Sequence, residues 1–275
     1  MKIAMLLENN KIDKTYKNEH GLSIYIEFGE HKILFDTGPS NTYLKNAAKM
    51  GVNVAEIDTI IISHGHSDHI AGLPFFPNNK QLQRVIMSQN IHTPFWIKAG
   101  PKFVNVGIKQ QQFEHLQQKI LYVDKMFTLT ENIKIIGLGN QQAHSGNLYM
   151  GERSNRQLDT FSHEIFLIIE QNNELVVFTG CSHNGIINIM NAITEEFPMK
   201  KIKAVIGGFH LIKLPYLNNL NTSKQNVLTL AKALKTYHVE TYYSCHCTGK
   251  KGMKIMRTVL GNRLEEFPTG KILEI

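Results

Sequence analysis

The sequence predicts an α/β fold of layered sheets and helices, in one domain spanning residues 1–275. Three observations carry this. Leu22 to Phe35 alternates apolar and polar residues as a half-buried hairpin does, and the continuous apolar run Ile57–Ile62 reads as a strand covered on both faces. The last third of the chain then alternates short β-branched runs with helical periodicity, and such elements bury their apolar faces by stacking in layers.

In order, Leu22, Ile24, Ile26 and Phe28 alternate with Ser23, Tyr25 and Glu27. Gly29-Glu30 breaks that run, Lys32 to Phe35 resumes it, and Asp36-Thr37-Gly38-Pro39 closes the hairpin. Tyr43, Leu44, Ala47, Ala48 and Met50 are spaced for a short helix with Ser40 or Asn41 as its cap. The strand at Ile57–Ile62 runs directly into Ser63-His64-Gly65-His66-Ser67-Asp68-His69. The middle, from about Pro74 to Arg156, is richer in Gln and Asn and yields strands at Arg84–Ser88, Lys119–Val123, Phe127–Leu129 and Ile133–Ile136. Ile165–Ile169 and Leu175–Phe178 pair across Gln171-Asn172-Asn173, Gly180 ends the second strand, and Ile186–Ile193 begins a helix. Ala204–Ile206 reaches Gly207-Gly208-Phe209-His210. Thr222 with Gln225 forms a capping box ahead of Val227, Leu230, Ala231 and Leu234, and Glu240–Tyr243 ends at Ser244-Cys245-His246-Cys247.

Composition narrows the class. The chain has 42% hydrophobic and 19% charged residues and a formal net charge of +7. No apolar stretch approaches the roughly 20 residues that span a bilayer, and Met1 to Asn10 is too short and too quickly polar for a secretory signal. The three cysteines, Cys181, Cys245 and Cys247, are odd in number and form no disulfide framework, so a soluble cytoplasmic protein is expected. The positive excess suits a small anionic partner, nucleic acid or solubility alone.

His64-x-His66-x-Asp68-His69 is the strongest chemical signal. Two imidazoles two residues apart in an extended segment point the same way, and Asp68 and His69 turn back after a bend. One loop thereby offers ligands to two adjacent ions, and imidazole with carboxylate suits Zn²⁺, Mn²⁺ or Fe. His183 sits at a strand-to-helix turn and is a further candidate ligand. His210 follows Gly207-Gly208, where backbone approaches closely, and reads as a substrate-contacting acid or base, a ligand or a structural residue.

The His64–His69 loop resembles that of the metallo-β-lactamase superfamily, and the resemblance extends over most of the chain. It implies an αββα sandwich, two mixed β-sheets packed face to face with helices outside, and a two-metal hydrolytic site. It also implies that Asp36 orients a metal-binding histidine from behind, that Asp68 both binds metal and directs the attacking hydroxide, and that His246 is the last histidine ligand. Thr179-Gly180-Cys181-Ser182-His183, Gly207-Gly208-Phe209-His210 and Cys245-His246-Cys247 resemble the dihydropterin synthase-like branch. Most members carry a bridging Asp where Cys181 stands, so either the Cys181 thiolate takes part or His183 supplies the ligand, and core packing is the competing role for Cys181. Cys245 and Cys247, alternating about His246, are expected to point away from the site. His163 departs from the acidic residue of the branch, and His20, His31, His92, His115, His144 and His238 carry no motif.

Two ions about 3.5–4 Å apart lower the pKa of a shared water toward ~7 and stabilise a leaving oxygen, so hydrolysis of an ester, amide or phosphodiester is the expected reaction. Lys200, Lys201 and Lys203 before His210, and Lys250, Lys251 and Lys254 after His246, favour a small phosphorylated substrate. Phe75-Phe76-Pro77 and Phe95-Trp96 are expected to shape the pocket entrance. The competing readings are a pterin-related synthase and a non-catalytic ligand- or nucleic-acid-binding protein that keeps the fold.

Overall fold

The computed structural model describes residues 1–108, 110–139, 146–213 and 219–275; His144 lies outside them. The first half forms β1 (Lys2–Leu7), β2 (Ser23–Phe28), β3 (His31–Phe35), α1 (Thr42–Lys49), β4 (Thr59–Ile61), the single turn α2 (Ser67–Ile70) and β5 (Arg84–Ser88). Next come β6 (Phe95–Ala99), β7 (Lys102–Asn105), β8 (Ile120–Val123), β9 (Met126–Thr130), β10 (Ile133–Gly137), β11 (Leu148–Met150) and β12 (Gln157–Leu158). The second half forms β13 (Ile165–Gln171), β14 (Glu174–Phe178), α3 (Ile186–Glu196), β15 (Lys201–Gly207), α4 (Lys224–Thr236) and β16 (Val239–Ser244). It closes with α5 (Gly249–Leu260), β17 (Leu264–Glu266) and β18 (Ile272–Glu274).

Two seven-stranded sheets, ordered β18-β1-β2-β3-β4-β5-β8 and β17-β16-β15-β14-β13-β10-β9, are each antiparallel at one side and parallel at the other. They pack face to face, because period-two alternation lets a strand bury both faces. Ile3, Met5, Ile24 and Phe35 meet Ile135, Leu167, Val176 and Ile206 between the sheets. The residues between them in sequence face outward. Ala4, Leu34 and Ile60 pack with Tyr43 and Ala47 of α1, and Ile168, Val177 and Val205 pack with α3, α4 and α5 through Ile189, Ala231 and Met256. The result is an αββα sandwich. No helix among the described residues is long and apolar enough to cross a membrane.

The alternating runs lie where the sequence places them, with some corrections. The strand expected at Ile57–Ile62 is regular only at Thr59–Ile61, since Val54–Glu56 forms a 3₁₀ turn just before it. Helix α4 is capped by Ser223, whose hydroxyl accepts from Asn226 N–H, rather than by Thr222. Thr222 instead accepts from the Asn226 side chain. The middle of the chain holds a third sheet, β12-β11-β6-β7, that the sequence reading misses; its strands are two to five residues long and partly exposed, too short to show a period.

Strand direction assembles the site. Strands β1, β3 and β4 in one sheet and β14, β15 and β16 in the other end at one common edge, and antiparallel β2 and β13 begin there. Gly72 locks the loops at this edge: its N–H donates to Gly38 O, and a β-carbon on it would lie 2.0 Å from Thr37 O. Those neighbours are backbone, so Gly72→Ala is expected to cost about 3 kcal/mol. The expected readout is a lower urea midpoint at an unchanged slope; a wild-type midpoint would mean that the turn is free to move aside.

Candidate metal centre

Asp36 lies fully buried at the end of β3 in a left-handed conformation, φ 59°. Its Oδ1 accepts from Ser63 N–H at 2.7 Å, and its Oδ2 accepts from the Ser63 hydroxyl at 2.7 Å and from His69 Nδ1 at 2.6 Å. The Ser63 hydroxyl has spent its one hydrogen on Asp36, so its 2.9 Å contact with His64 Nδ1 must be one it accepts. A single carboxylate thereby holds the Nδ1 proton of both rings, and His64 and His69 both turn Nε2 inward.

Around His69 Nε2 the atoms stand at His246 Nε2, 3.2 Å, Cys181 Sγ, 3.3 Å, and Asp68 Oδ2, 3.7 Å; His246 Nε2 is 3.3 Å from Asp68 Oδ2. Ligands at zinc distances of about 2.0–2.3 Å in a tetrahedron are separated by about 3.3–3.7 Å. The separations from His69 Nε2, and that between His246 Nε2 and Asp68 Oδ2, therefore match those within one cation's ligand set. Beside them His64, His66 and His183 place ligand atoms within 4.8 Å of one another, and Cys181 belongs by the same measure to groups with His64 and His69 and with His183 and His210. Cys181 thus lies between the two clusters.

The chemistry of these groups fits a cation. Among the described residues, the buried His64 Nε2 and both buried ring nitrogens of His183 have no hydrogen-bond partner, a costly arrangement that a bound ion would relieve. Burial, reinforced by neighbouring histidines, holds His64 and His183 well below the usual imidazole range, so both present neutral lone pairs. His69 goes the other way: burial would lower it, yet Asp36 and Asp68 carry it up to about 9, which registers the demand of the two carboxylates for positive charge.

His246 and His183 are held by residues that the motifs do not reveal. Asn9, just past β1, accepts from His246 Nδ1 at 2.9 Å and donates to His246 O at 3.2 Å, while Glu8 accepts His246 N–H at 3.0 Å. Glu164, at the start of β13, accepts the N–H groups of His183 and Asn184 at 2.7 and 2.8 Å, and the His183 ring stacks on Phe161 at 4.4 Å. His163 accepts Gly65 N–H at 3.0 Å on Nδ1 and meets Asp159 at 3.2 Å through Nε2, so both its nitrogens are occupied and it supports the loop. Replacing Asn9 with alanine frees the His246 ring to rotate and is expected to weaken metal binding about 10- to 100-fold. Competition against a chromogenic chelator reads this; wild-type affinity would show that packing alone fixes His246.

Two placements depart from the sequence reading. Cys247 points into the site, grouped with Cys181 and His246, because strand alternation fails past β16: His246 has φ 48° and opens a 3₁₀ turn. Cys245 does face away, into the core between the sheets. His20, which carries no motif, lies with Nε2 3.3 Å from Asp68 Oδ2 and its ring 4.7 Å from His246. Its only sequence signal is a His-Gly step just ahead of a strand whose hairpin partner ends at Asp36. His31, His92 and His238 take no part in these clusters, and neither does His115.

A cavity of about 690 Å³ opens over the ligand atoms, walled by Ile97, Val106 and Leu148 on one side and by Ile212, Lys213 and Asn221 on the other. His210 lines it beside His183, the ring centroids 4.2 Å apart. The aromatic residues expected at the entrance lie elsewhere: Phe76 is in the core, and Phe95 packs on His163 at 4.1 Å. The same sheet reaches the cavity through Ile97 and Leu148 instead. Lys200 to Lys203 stand at the far end of β15, about 20 Å from the site edge, with Lys200 paired to Glu170 and Lys203 to Glu240. Among the described residues, Lys213 is the lysine that lines the cavity.

Residues 17–143 match the model of the metallo-beta-lactamase superfamily. The 7,8-dihydropterin-6-methyl-4-(beta-D-ribofuranosyl)-aminobenzene-5'-phosphate synthase of Methanocaldococcus jannaschii is 28% identical over 275 residues, covering 94% of this chain and 90% of that protein. Among solved structures, Tm1679, a metal-dependent hydrolase of the beta-lactamase superfamily, matches with a TM-score of 0.85 and 29% identity over 100% of this chain and 99% of that one. Zn(2+)-bound PqqB from Methylobacterium extorquens, at a TM-score of 0.62 and 11% identity over 100% of both chains, shares the fold alone.

Proposed function

We propose that the chain is a hydrolase of the metallo-β-lactamase superfamily with a two-ion site acting on a small anionic ester or phosphodiester, a reading supported by the match over residues 17–143 and by the likeness to Tm1679. The observation that carries this reading is the convergence of His64, His66 and His183 in one cluster and Asp68, His69, His246 and Cys181 in the next, under one cavity. Zinc suits the mixed imidazole, carboxylate and thiolate donors, with manganese or iron as alternatives.

The ions would supply Lewis acidity and a water activated near neutral pH. The remaining steps belong to the chain's own residues. Asp68 accepts a hydrogen bond from the attacking water and holds it toward the substrate. His210, facing the cavity next to His183, gives a proton to the leaving oxygen or binds an anionic substituent. The apolar wall of Ile97, Val106 and Leu148 takes the organic part of the substrate, and Lys213 draws its negative charge.

Turnover of a generic phosphodiester by the metal-loaded protein, lost on chelation and restored by zinc, is the expected result. Lys213→Ala should then raise KM about tenfold at unchanged kcat, the mark of a contact made equally in ground and transition states. Metal-loaded protein that turns over no ester or phosphoester would contradict the reading. A second reading, a step of pterin-related synthesis, is favoured by the 28% identity over 94% of the chain to the Methanocaldococcus jannaschii enzyme, and turnover of pterin compounds alone would support it.

A further inference from the structure

Two of the three cysteines face each other across the floor of the cavity. Cys181 follows β14 and Cys247 follows β16, both are buried, and both line the cavity. Their sulfurs and a His246 ring nitrogen lie within 4.8 Å of one another, and Cys247 Sγ is 3.6 Å from Cys181 O. With Ile212 they form a small apolar cluster of their own. The fold is shaped around this sulfur: a β-carbon on Gly208 would lie 2.4 Å from Cys247 Sγ, so only glycine leaves room for it. His210 N–H donates to the same sulfur at 3.3 Å. A metal centre needs one thiolate at most between its two clusters, and Cys181 Sγ, 3.3 Å from His69 Nε2, already fills that place. The second thiol has no part in the proposed hydrolysis.

We propose that Cys181 and Cys247 are a redox couple: a peroxide entering the cavity joins them in a disulfide, which withdraws Cys181 from His69 and releases the ion it helps to hold. The inference rests on the metal-centre reading for its second half. The Cys247 sulfur attacks one peroxide oxygen, the O–O bond breaks, and the distal oxygen leaves as water. The Cys181 sulfur then attacks the resulting sulfenyl sulfur, and the remaining oxygen leaves as a second water. The two cysteines lose two electrons to the peroxide, and the two waters are completed by the Cys247 thiol proton and one proton from solvent, because the metal-bound Cys181 is already a thiolate. Closing the gap to an S–S bond of about 2.05 Å takes rotation of both side chains, which the adjoining cavity permits.

The test uses the full chain loaded with zinc and treated with a small excess of hydrogen peroxide. Peptide mapping without reductant is expected to recover a Cys181–Cys247 disulfide, a zinc-responsive dye to register release of about one ion per chain, and dithiothreitol followed by zinc to reverse both. In Cys247→Ser the same dose is expected to yield no such crosslink and to release no zinc beyond that of the untreated variant. Recovery of both cysteines as free thiols or as sulfinic acids, a disulfide that uses Cys245, or a disulfide formed with all zinc retained would each overturn the couple as stated. The two readings fail separately. Zinc bound without a disulfide sinks the couple and leaves the metal centre standing, whereas a disulfide in a protein that never holds metal sinks the metal centre and leaves the thiol pair.

Discussion

Replacement of His183 by alanine is expected to reduce the metal bound per chain from about two ions to about one and to lower turnover on the order of 10³-fold, about 4 kcal/mol of barrier. The opposite holds for the metal-free fold, which should change by no more than about 1 kcal/mol. Among the described residues neither buried ring nitrogen of His183 has a hydrogen-bond partner, so removing them forfeits no hydrogen bond there. The ring also lines the cavity, so its loss opens no sealed void, and what is given up is the stacking on Phe161 at 4.4 Å and the ring contacts with His64, His66 and His210. The gain in melting temperature on adding zinc, large in the wild type, should shrink in the variant. Calorimetry with and without zinc, alongside elemental analysis, reads both effects. An unchanged zinc response would remove His183 from the ligand set.

Asp36→Asn is expected to have the second large effect, through proton positions rather than shape. Asparagine tolerates the left-handed φ of 59° and can still accept Ser63 N–H. The atom now facing Ser63 Oγ and His69 Nδ1 is an amide nitrogen, which donates and cannot accept. The Ser63 hydroxyl must then donate to His64 Nδ1, and His69 must move its proton from Nδ1 to Nε2. Both changes place a hydrogen on the atom aimed at the centre. One substitution thus closes a lone pair in each cluster, and metal affinity should fall by about 100-fold or more. Stability should fall by about 1 kcal/mol, since a buried charge-assisted bond to His69 is exchanged for a neutral amide-to-imidazole one. Wild-type affinity in a chelator competition would show that the tautomers are set by something other than Asp36.

The residues legible in the sequence are those whose geometry is local. His64, His66, Asp68 and His69 share one loop after a buried strand, so six residues of spacing were enough to bring them into two clusters. The hairpin, the paired β13 and β14, and the alternation of strand and helix after β14 were legible because both sheets bury alternate faces and leave a period behind. Asn9, His20, Glu164 and Asp159 were not, because each acts as a single residue brought in by strand direction, with no repeated spacing. Cys247 was misdirected by carrying strand alternation past Ser244 into a turn that begins at φ 48°. The Lys200–Lys203 cluster misled for a related reason: nearness in sequence to His210 takes no account of the length of β15 between them. Lys213 and the Ile97–Leu148 wall depend on short strands and loops whose placement no periodicity encodes.

The most direct test of the account is anomalous diffraction from crystals of the zinc-loaded protein, recorded across the zinc edge. Two peaks about 3.5–4 Å apart are expected, one among His64, His66 and His183 and the other among Asp68, His69, His246 and Cys181. No peak among these residues, or a single ion that leaves His64, His66 and His183 without a ligand role, would contradict the two-ion centre on which the proposed hydrolysis depends.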